Sequence, residues 1–422
     1  MIRVASILMD ALRLQKLRAE VAGYLDDLLP DRLGNVRRRR WAEAYVRGLL
    51  LDGARRSIEP LARRLEAVDG PERLGRDYEQ ALQQFINQSP WEDRPVRDRL
   101  ARCVLAQVGV GGAVLLDDTG FPKQGTASVG VARQYSGTLG KVGNCQVAVT
   151  LQYATERAVF CLDAQLYLPE GWAGDPRRLR AAGVPPGLGY RPKWRIALEL
   201  LGRARANGVS GPVLADSAYG DVTEFRQALQ REGWPYCVGI SSHLKVVAAD
   251  HDFGPVPPYG GNGRPPSRPA GIRAGAKSES AKQWALARAA AFRKVSWREG
   301  TRGKLAGKFG AWRVRPAHRL SEGREPLTAC WLLAEWREGE LGPAKFYFSN
   351  LPADTSLRQL VRTAKGRWWV EHSYREMKEE LGLDHFEGRG WVGWHHHVTL
   401  VLLAYAFVVL RRQRRKRGAP TG

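Results

Sequence analysis

Arg367-Trp368-Trp369-Val370-Glu371-His372-Ser373-Tyr374-Arg375-Glu376-Met377-Lys378 is the stretch on which the reading of this chain turns. No glycine or proline interrupts it before Gly382, so it predicts a helix. On an α-helix, positions i, i+4 and i+11 share a face, which puts Arg367, Glu371 and Lys378 in one stripe. A carboxylate between two cations suits a metal beside a phosphate: the acid holds the metal and the cations grip the phosphate. An Arg–Glu pair on a solvated helix has the same pattern, so the stretch needs support from the rest of the chain.

Composition supplies part of it. With 422 residues the chain has room for two or three domains. Lys and Arg outnumber Asp and Glu by 66 to 43, a net charge of +23, which favours a polyanionic partner, above all nucleic acid. Cys103, Cys145, Cys161, Cys237 and Cys330 are odd in number and lack C-x-x-C spacing. They read as free thiols of a reducing compartment, and they exclude a disulfide framework or a cysteine zinc site. Met1 to Asp10 shows no signal-peptide pattern, and the apolar run Val398 to Leu410 is short for a bilayer, so it predicts a buried helix. A cytoplasmic, nucleoid-associated protein is expected, without a membrane partner.

Residues 1–105 read as all-helical, with Arg37 to Arg40 leading into Trp41 to Leu50, then Ser57 (an expected N-cap) to Leu65, then Tyr78 to Ile86. Two readings stay open for this segment: a helix-turn-helix-like DNA module, or a helical packing domain with a basic face. From 112 the period changes. Ala113 to Asp118 is a short apolar strand ending in acid, Cys145 to Gln152 alternates as a half-buried strand, and Ala158 to Leu168 is a third. Gly120 to Gly143, with Lys123, Arg133 and Lys141, reads as an exposed basic loop or hairpin. A helix (192–207), a strand ending in Asp216, a turn, a helix (222–231) and a strand (234–240) complete an α/β layout.

The interval 241–345 breaks that layout. His251 to Lys277 is a Pro/Gly-rich loop, and strands come after it at 297–305, 309–315, 328–334 and 345–350, with Trp284, Trp297, Trp312, Trp331 and Trp336 among them. Arg411 to Arg417 reads as a solvated basic tail. The expected division is therefore 1–105 helical DNA-binding domain, 106–240 first part of the core, 241–345 β-rich insertion, 346–410 second part of the core, and 411–422 tail.

Asp117 and Asp216 each end a buried strand, where side chains emerge at the rim of a sheet, and Glu371 sits on a later helix. Three carboxylates beside a basic surface suit phosphodiester cleavage, because Mg²⁺ takes few protein carboxylates and leaves positions for phosphate oxygens and water. His395-His396-His397 does not read as a metal site, since neighbours on a helix point apart; contact with solvent or DNA backbone is expected there. Gly109 to Gly112 lacks the Gly-Lys-Ser/Thr ending of a phosphate loop.

From about residue 110 the chain resembles the DDE transposases of bacterial insertion sequences. The resemblance rests on Asp117 to Gly125, Ser128 to Gly137, Ala215 to Gly220, Arg367 to Glu371 and Gly382 to Arg389. Arg367, Glu371 and Lys378 fit the Y-x2-R-x3-E-x6-K signature of one branch, with Ala364 where that branch has its Tyr. The resemblance implies an RNase H-like α/β core interrupted by a β-rich insertion. It implies Asp117, Asp216 and Glu371 as the catalytic, metal-binding acids, with Asp117 preferred over Asp118 from the D-x-T pattern. It implies Mg²⁺, with Mn²⁺ able to substitute, and no nucleotide cofactor. Arg367, Lys378, Tyr374, Arg375, Arg133 and Lys123 are expected at the DNA, and Trp297, flanked by Arg298 and Arg302, is expected under a flipped base. The activity implied is cleavage of element ends and their joining to target DNA by a homodimer on DNA. A plain nuclease on the same core and a domesticated DNA-binding protein are the alternatives.

Overall fold

The computed structural model describes residues 11–29, 33–70, 77–138, 140–252, 254–255, 257–263, 265, 278–300, 303–317 and 328–418. Residues 253, 256, 264 and 266–277 of the loop read at His251 to Lys277, and Arg302, lie outside the described residues. The chain packs as two compact units, Gly211–Arg367 and Ile2–Ser210 with Trp368–Gly422. The units divide at 210/211 and 367/368.

The larger unit begins with helices α1 (Ala11–Leu28), α2 (Val36–Leu50), α3 (Ile58–Asp69), α4 (Tyr78–Asn87) and α5 (Asp93–Val108). Asn35 caps α2 by accepting from Arg38 N at 2.8 Å, and Asp77 caps α4 by accepting from Gln80 N. Ser57 stands at the α3 cap position without a side-chain cap bond. Next come strands β1 (Ala113–Pro122), β2 (Ala132–Ser136), β3 (Lys141–Ala154) and β4 (Val159–Leu166), then short helices α6 (Glu170–Ala173) and α7 (Pro176–Ala181), and helix α8 (Lys193–Ala206). β3 pairs antiparallel with β1, placing Asp117 opposite Thr150; along its other edge it pairs with β2 and then β4.

β3 departs from the half-buried strand expected of its alternation. From Cys145 to Ala154 every residue is buried. Its polar positions are held inside: Gln146 Nε2 donates to Val129 O at 2.7 Å, and Gln152 Oε1 accepts from Ser373 Oγ at 2.6 Å. Alternation in this strand separates two kinds of buried face, not core from solvent. Arg97, 3% exposed, ties α5 to β4 by pairing with Asp93 and Asp163 and donating to Ala164 O, while Asp163 also pairs with Arg203 of α8.

Helix Trp391–Gly418 forms the pillar of this unit. It is long and apolar enough to cross a membrane by composition, yet it is buried within the fold. Tyr24 donates to Leu403 O at 3.0 Å, and Tyr45 Oη bonds His397 Nδ1 at 2.8 Å. The segment expected as a solvated tail continues this helix: Arg411 pairs with Glu20 and Arg412 with Glu376.

The smaller unit builds one sheet. β5 (Val213–Ala215) lies parallel to β6 (Tyr236–Ile240), connected through short helix α9 (Ser217–Gly220) and α10 (Thr223–Arg231). β7 (Lys245–Ala248), β8 (Glu279–Ser280), β9 (Arg293–Gly300), β10 (Gly303–Pro316), β11 (Cys330–Trp336) and β12 (Lys345–Ser349) extend it from β6 through β12, β11 and β10. The β-rich residues of the expected insertion thus continue the sheet of β5 and β6. Helix Leu357–Lys365 carries a capping box, Ser356 with Gln359.

Candidate active site

β1 sorts its two adjacent acids onto opposite faces, because successive side chains on a strand alternate. Phe121 shares the Asp117 face. Its ring meets Trp394 edge-on at 5.6 Å and lies 5.5 Å beneath Lys378 Nζ, so this face looks toward the C-terminal helices. Asp118 points the other way, onto Lys193 at the start of α8, with Nζ and Oδ2 2.5 Å apart.

Helix Trp369–Arg375 lies over the Asp117 face. Tyr374 Oη bonds Thr150 Oγ1 at 2.5 Å, and Thr150 Oγ1 donates to Asp117 O at 3.3 Å. Burial first, and then the charge of Asp117, raises the Tyr374 pKa well above its ordinary value. Ser373 anchors the same helix to Gln152. Ser373 and Tyr374 are therefore taken up in packing this helix down, while Glu371 is exposed.

The expected single α-helix is three pieces: a 3₁₀ turn Gly366–Trp368, the α-helix Trp369–Arg375 and a π-helical turn Glu376–Glu380. The stripe drawn on continuous α geometry does not hold through a π turn, whose i→i+5 bonding rotates the later side chains out of α register. Two contacts accompany it. Glu376, 4% exposed, is held by Arg412 at 2.7 Å and faces His372 at 3.7 Å. Lys378 Nζ donates to Gly120 O at 2.7 Å and to Thr138 Oγ1 at 2.8 Å. Burial pushes the Lys378 ammonium down to about 8, against the raising effect of Asp384 and Cys145.

In the smaller unit, Asp216 comes directly after β5 as the N-cap of α9. Its Oδ1 accepts from Ala218 N at 3.0 Å, and its Oδ2 lies 3.8 Å from the Arg367 guanidinium. Gly220 closes this turn so tightly that a Cβ there would collide with Gly239 O. Among the described residues, no group of three or more His, Cys, Asp and Glu side chains is gathered to hold a metal ion. The donor chemistry itself, carboxylate oxygens only, is that of a hard divalent cation. The Arg367 cation beside Asp216 stands where such a charge would be welcome.

The other expected DNA residues divide by exposure. Arg133, Arg298 and Arg375 are exposed. Lys123 turns inward to donate to Phe386 O at 2.6 Å, and the Tyr374 hydroxyl expected at DNA is held by Thr150. Trp297 is half-buried, edge-on to Phe309 at 5.6 Å, with Lys365 Nζ 4.9 Å from its ring. Phe309 and Lys365 thus pack against the ring assigned to a flipped base.

The histidine run corrects its reading outright. His395, His396 and His397 are 3%, 1% and 0% exposed, not facing solvent or DNA. His395 sits between Trp391 O and the Gln165 amide, His396 stacks on Trp91, and His397 accepts from Tyr45 and donates to Gly382 O. Three neighbours that point apart on a buried stretch of helix meet three different walls of the core. Burial drives His395 and His397 down to about 4. Lys193 was absent from the residues singled out in the sequence. It lies 75 positions from Asp118, and no local spacing announces the pair.

Comparison with known proteins gives two results. The DDE superfamily endonuclease family matches residues 28–304, a span that contains Asp117 and Asp216 and ends before Glu371. The chain is also similar to the probable transposase for insertion sequence element IS701 of Microchaete diplosiphon, with 34% identity over 184 residues. That alignment covers 42% of this chain and 45% of the relative, so it spans just under half of the relative's length.

Proposed function

The chain belongs to the DDE superfamily endonuclease family, and from that premise we propose that it is a DNA transposase that cuts the ends of an insertion element and joins them to target DNA. The observation that carries the reading is the sorting of acids on β1. Asp118 is neutralised by Lys193, while Asp117 lies on the face covered by the helix that bears Glu371. The same sorting favours Asp117 over Asp118 as the catalytic residue. The IS701 relative named a probable transposase supports transfer over simple nicking.

In this proposal water attacks the phosphorus at the element end, the P–O3′ bond breaks, and a 3′-hydroxyl and a 5′-phosphate result. The freed 3′-hydroxyl then attacks a phosphodiester of the target: one P–O bond forms, one breaks, and no nucleotide cofactor is consumed. The family generally uses divalent ions. Here Mg²⁺, or Mn²⁺ in its place, would be held by Asp117, Asp216 and Glu371 and would supply Lewis acidity to the attacking and leaving oxygens. Arg367 and Lys378 neutralise phosphate charge, and Arg133, Arg298 and Arg375 extend the cationic contact outward. Two ends call for two protomers on DNA, acting at the nucleoid.

The test is incubation of the protein with Mg²⁺ and a duplex carrying the ends that flank its own gene, with products resolved on a denaturing gel. Nicks at the boundary and then joined products are expected. Cuts that never proceed to joined products would overturn the transfer step and leave a nuclease.

A further inference from the structure

The hairpin β2–β3 carries an exposed feature that the proposed chemistry has not used. Tyr135 and Val142 face each other across its two strands, 64% and 53% exposed. Arg133 lies two residues before Tyr135 and is exposed, as is Lys141. No Asp or Glu occurs between Asp118 and Glu156. An apolar pair flanked by cations and free of acids suits the sugar and base edges of a nucleic acid groove with phosphates on either side.

This hairpin is held firmly although its outer side is bare. Its inner side folds back on β1: Thr138 Oγ1 donates to Gly120 O at 3.3 Å, and a Cβ on Gly120 would collide with Ser136 Oγ. Only glycine leaves room for that approach. Lys378 binds Gly120 O and Thr138 together, Gln134 Nε2 donates to Cys145 O at 2.9 Å, and Asn144 Nδ2 donates to Lys123 O at 2.7 Å. Gly120 is three residues beyond Asp117 on the same strand, about 10 Å away at the usual strand rise. Ser136 therefore meets β1 on its Asp118 face, and Thr138 meets the Gly120 carbonyl, which anchors the end of the hairpin about 10 Å along the strand from Asp117, the length of about three base pairs at 3.4 Å each.

The geometry points to Tyr135 and Val142 as an apolar step that docks the element-end duplex in one groove beside the cleaved phosphate, with Arg133 on the adjoining backbone. The assignment rests on the proposed transposase reading and adds to it the surface that sets where the end DNA lies. Burying an unpaired apolar pair against sugar and base edges favours docking, and a pre-organised hairpin loses little conformational freedom when DNA arrives.

The experiment uses the full chain in EDTA, so that nothing is cut, with element-end duplexes bearing 5-iodouracil at successive positions around the boundary. Irradiation is expected to crosslink Tyr135 at positions within a few base pairs of the cleaved phosphate. Tyr135→Phe should keep the crosslink and Tyr135→Ala should lose it. Tyr135→Ala with Val142→Ser should weaken end binding about tenfold with an unchanged melting temperature, because both side chains are exposed. Crosslinks that map elsewhere, with the double variant binding like the wild type, would overturn the hairpin assignment alone. A wild-type chain that binds element ends no better than unrelated duplex would overturn the transposase reading itself.

Discussion

Lys365 and Lys378 sit thirteen residues apart in the chain, one in each compact unit, and both are half-buried. Their surroundings differ in kind. Lys365 Nζ lies 2.6 Å from both carboxylate oxygens of Glu335, itself 5% exposed, and covers the ring of Trp297. Lys378 donates its hydrogen bonds to a carbonyl and a hydroxyl and lies over the Phe121 ring, and Asp384 acts on it without a salt bridge among the described residues. Burial lowers the pKa of both, but Glu335 opposes the effect at Lys365, while Lys378 falls to about 8. A paired buried cation completes a core. A cation held by neutral dipoles keeps most of its charge for an incoming anion.

The largest expected effect breaks the paired site. Glu335→Leu strands the Lys365 ammonium and should cost about 3–5 kcal/mol in urea unfolding, with little change in DNA affinity per folded molecule. Equal stability in the variant would show the pair to be ornamental. Lys378→Met should do the reverse. Its folded pKa lies below the unfolded value of about 10.4, so the charged ammonium is a cost to folding below pH 8. That cost is relieved as pH rises from 8 toward the unfolded value. Removing it should leave the melting temperature at pH 7 unchanged or higher, while reducing the salt slope of end binding by about one counterion.

A smaller effect reads the charge directly. If the Lys378 ammonium meets phosphate, end affinity in the wild type should begin to fall above about pH 8, and Lys378→Arg should hold its affinity through the same range. Fluorescence anisotropy across pH 7 to 10 measures both, and parallel curves would remove Lys378 from the interface. The smallest effect concerns the hydroxyl beside it. Thr138→Val takes away one of the two polar partners of Nζ and should move the onset of that fall downward by less than about one unit.

Much of the organisation was legible from residues alone. Helical spacing over 41–50 and 78–86, the apolar run that became the pillar helix and the strand before Asp216 rest on local periodicity, whereas the strand expected to end at Asp117 and Asp118 runs on to Pro122, so Asp117 lies within it. The reading of 367–378 as one α-helix failed at its ends. The π turn coincides with the anchoring of Glu376 to Arg412 and of Lys378 to Gly120, and both partners are remote in sequence. His395 to His397 misled for a related reason. Polar residue types suggested solvent, but each ring found a partner from a different element, and burial came with that satisfaction.

The sequence by itself determined the charge, the alternation of strands and helices, and the three acids with their spacing. These are properties of neighbours along the chain. Only the tertiary structure decided that Lys193 pairs with Asp118, that Glu335 holds Lys365, and that Tyr135 is exposed. Lys193 on Asp118, Glu335 on Lys365 and the fold-back that exposes Tyr135 each join residues across loops or separate elements. A contact of that kind depends on how the elements pack, and spacing in one chain does not encode it locally.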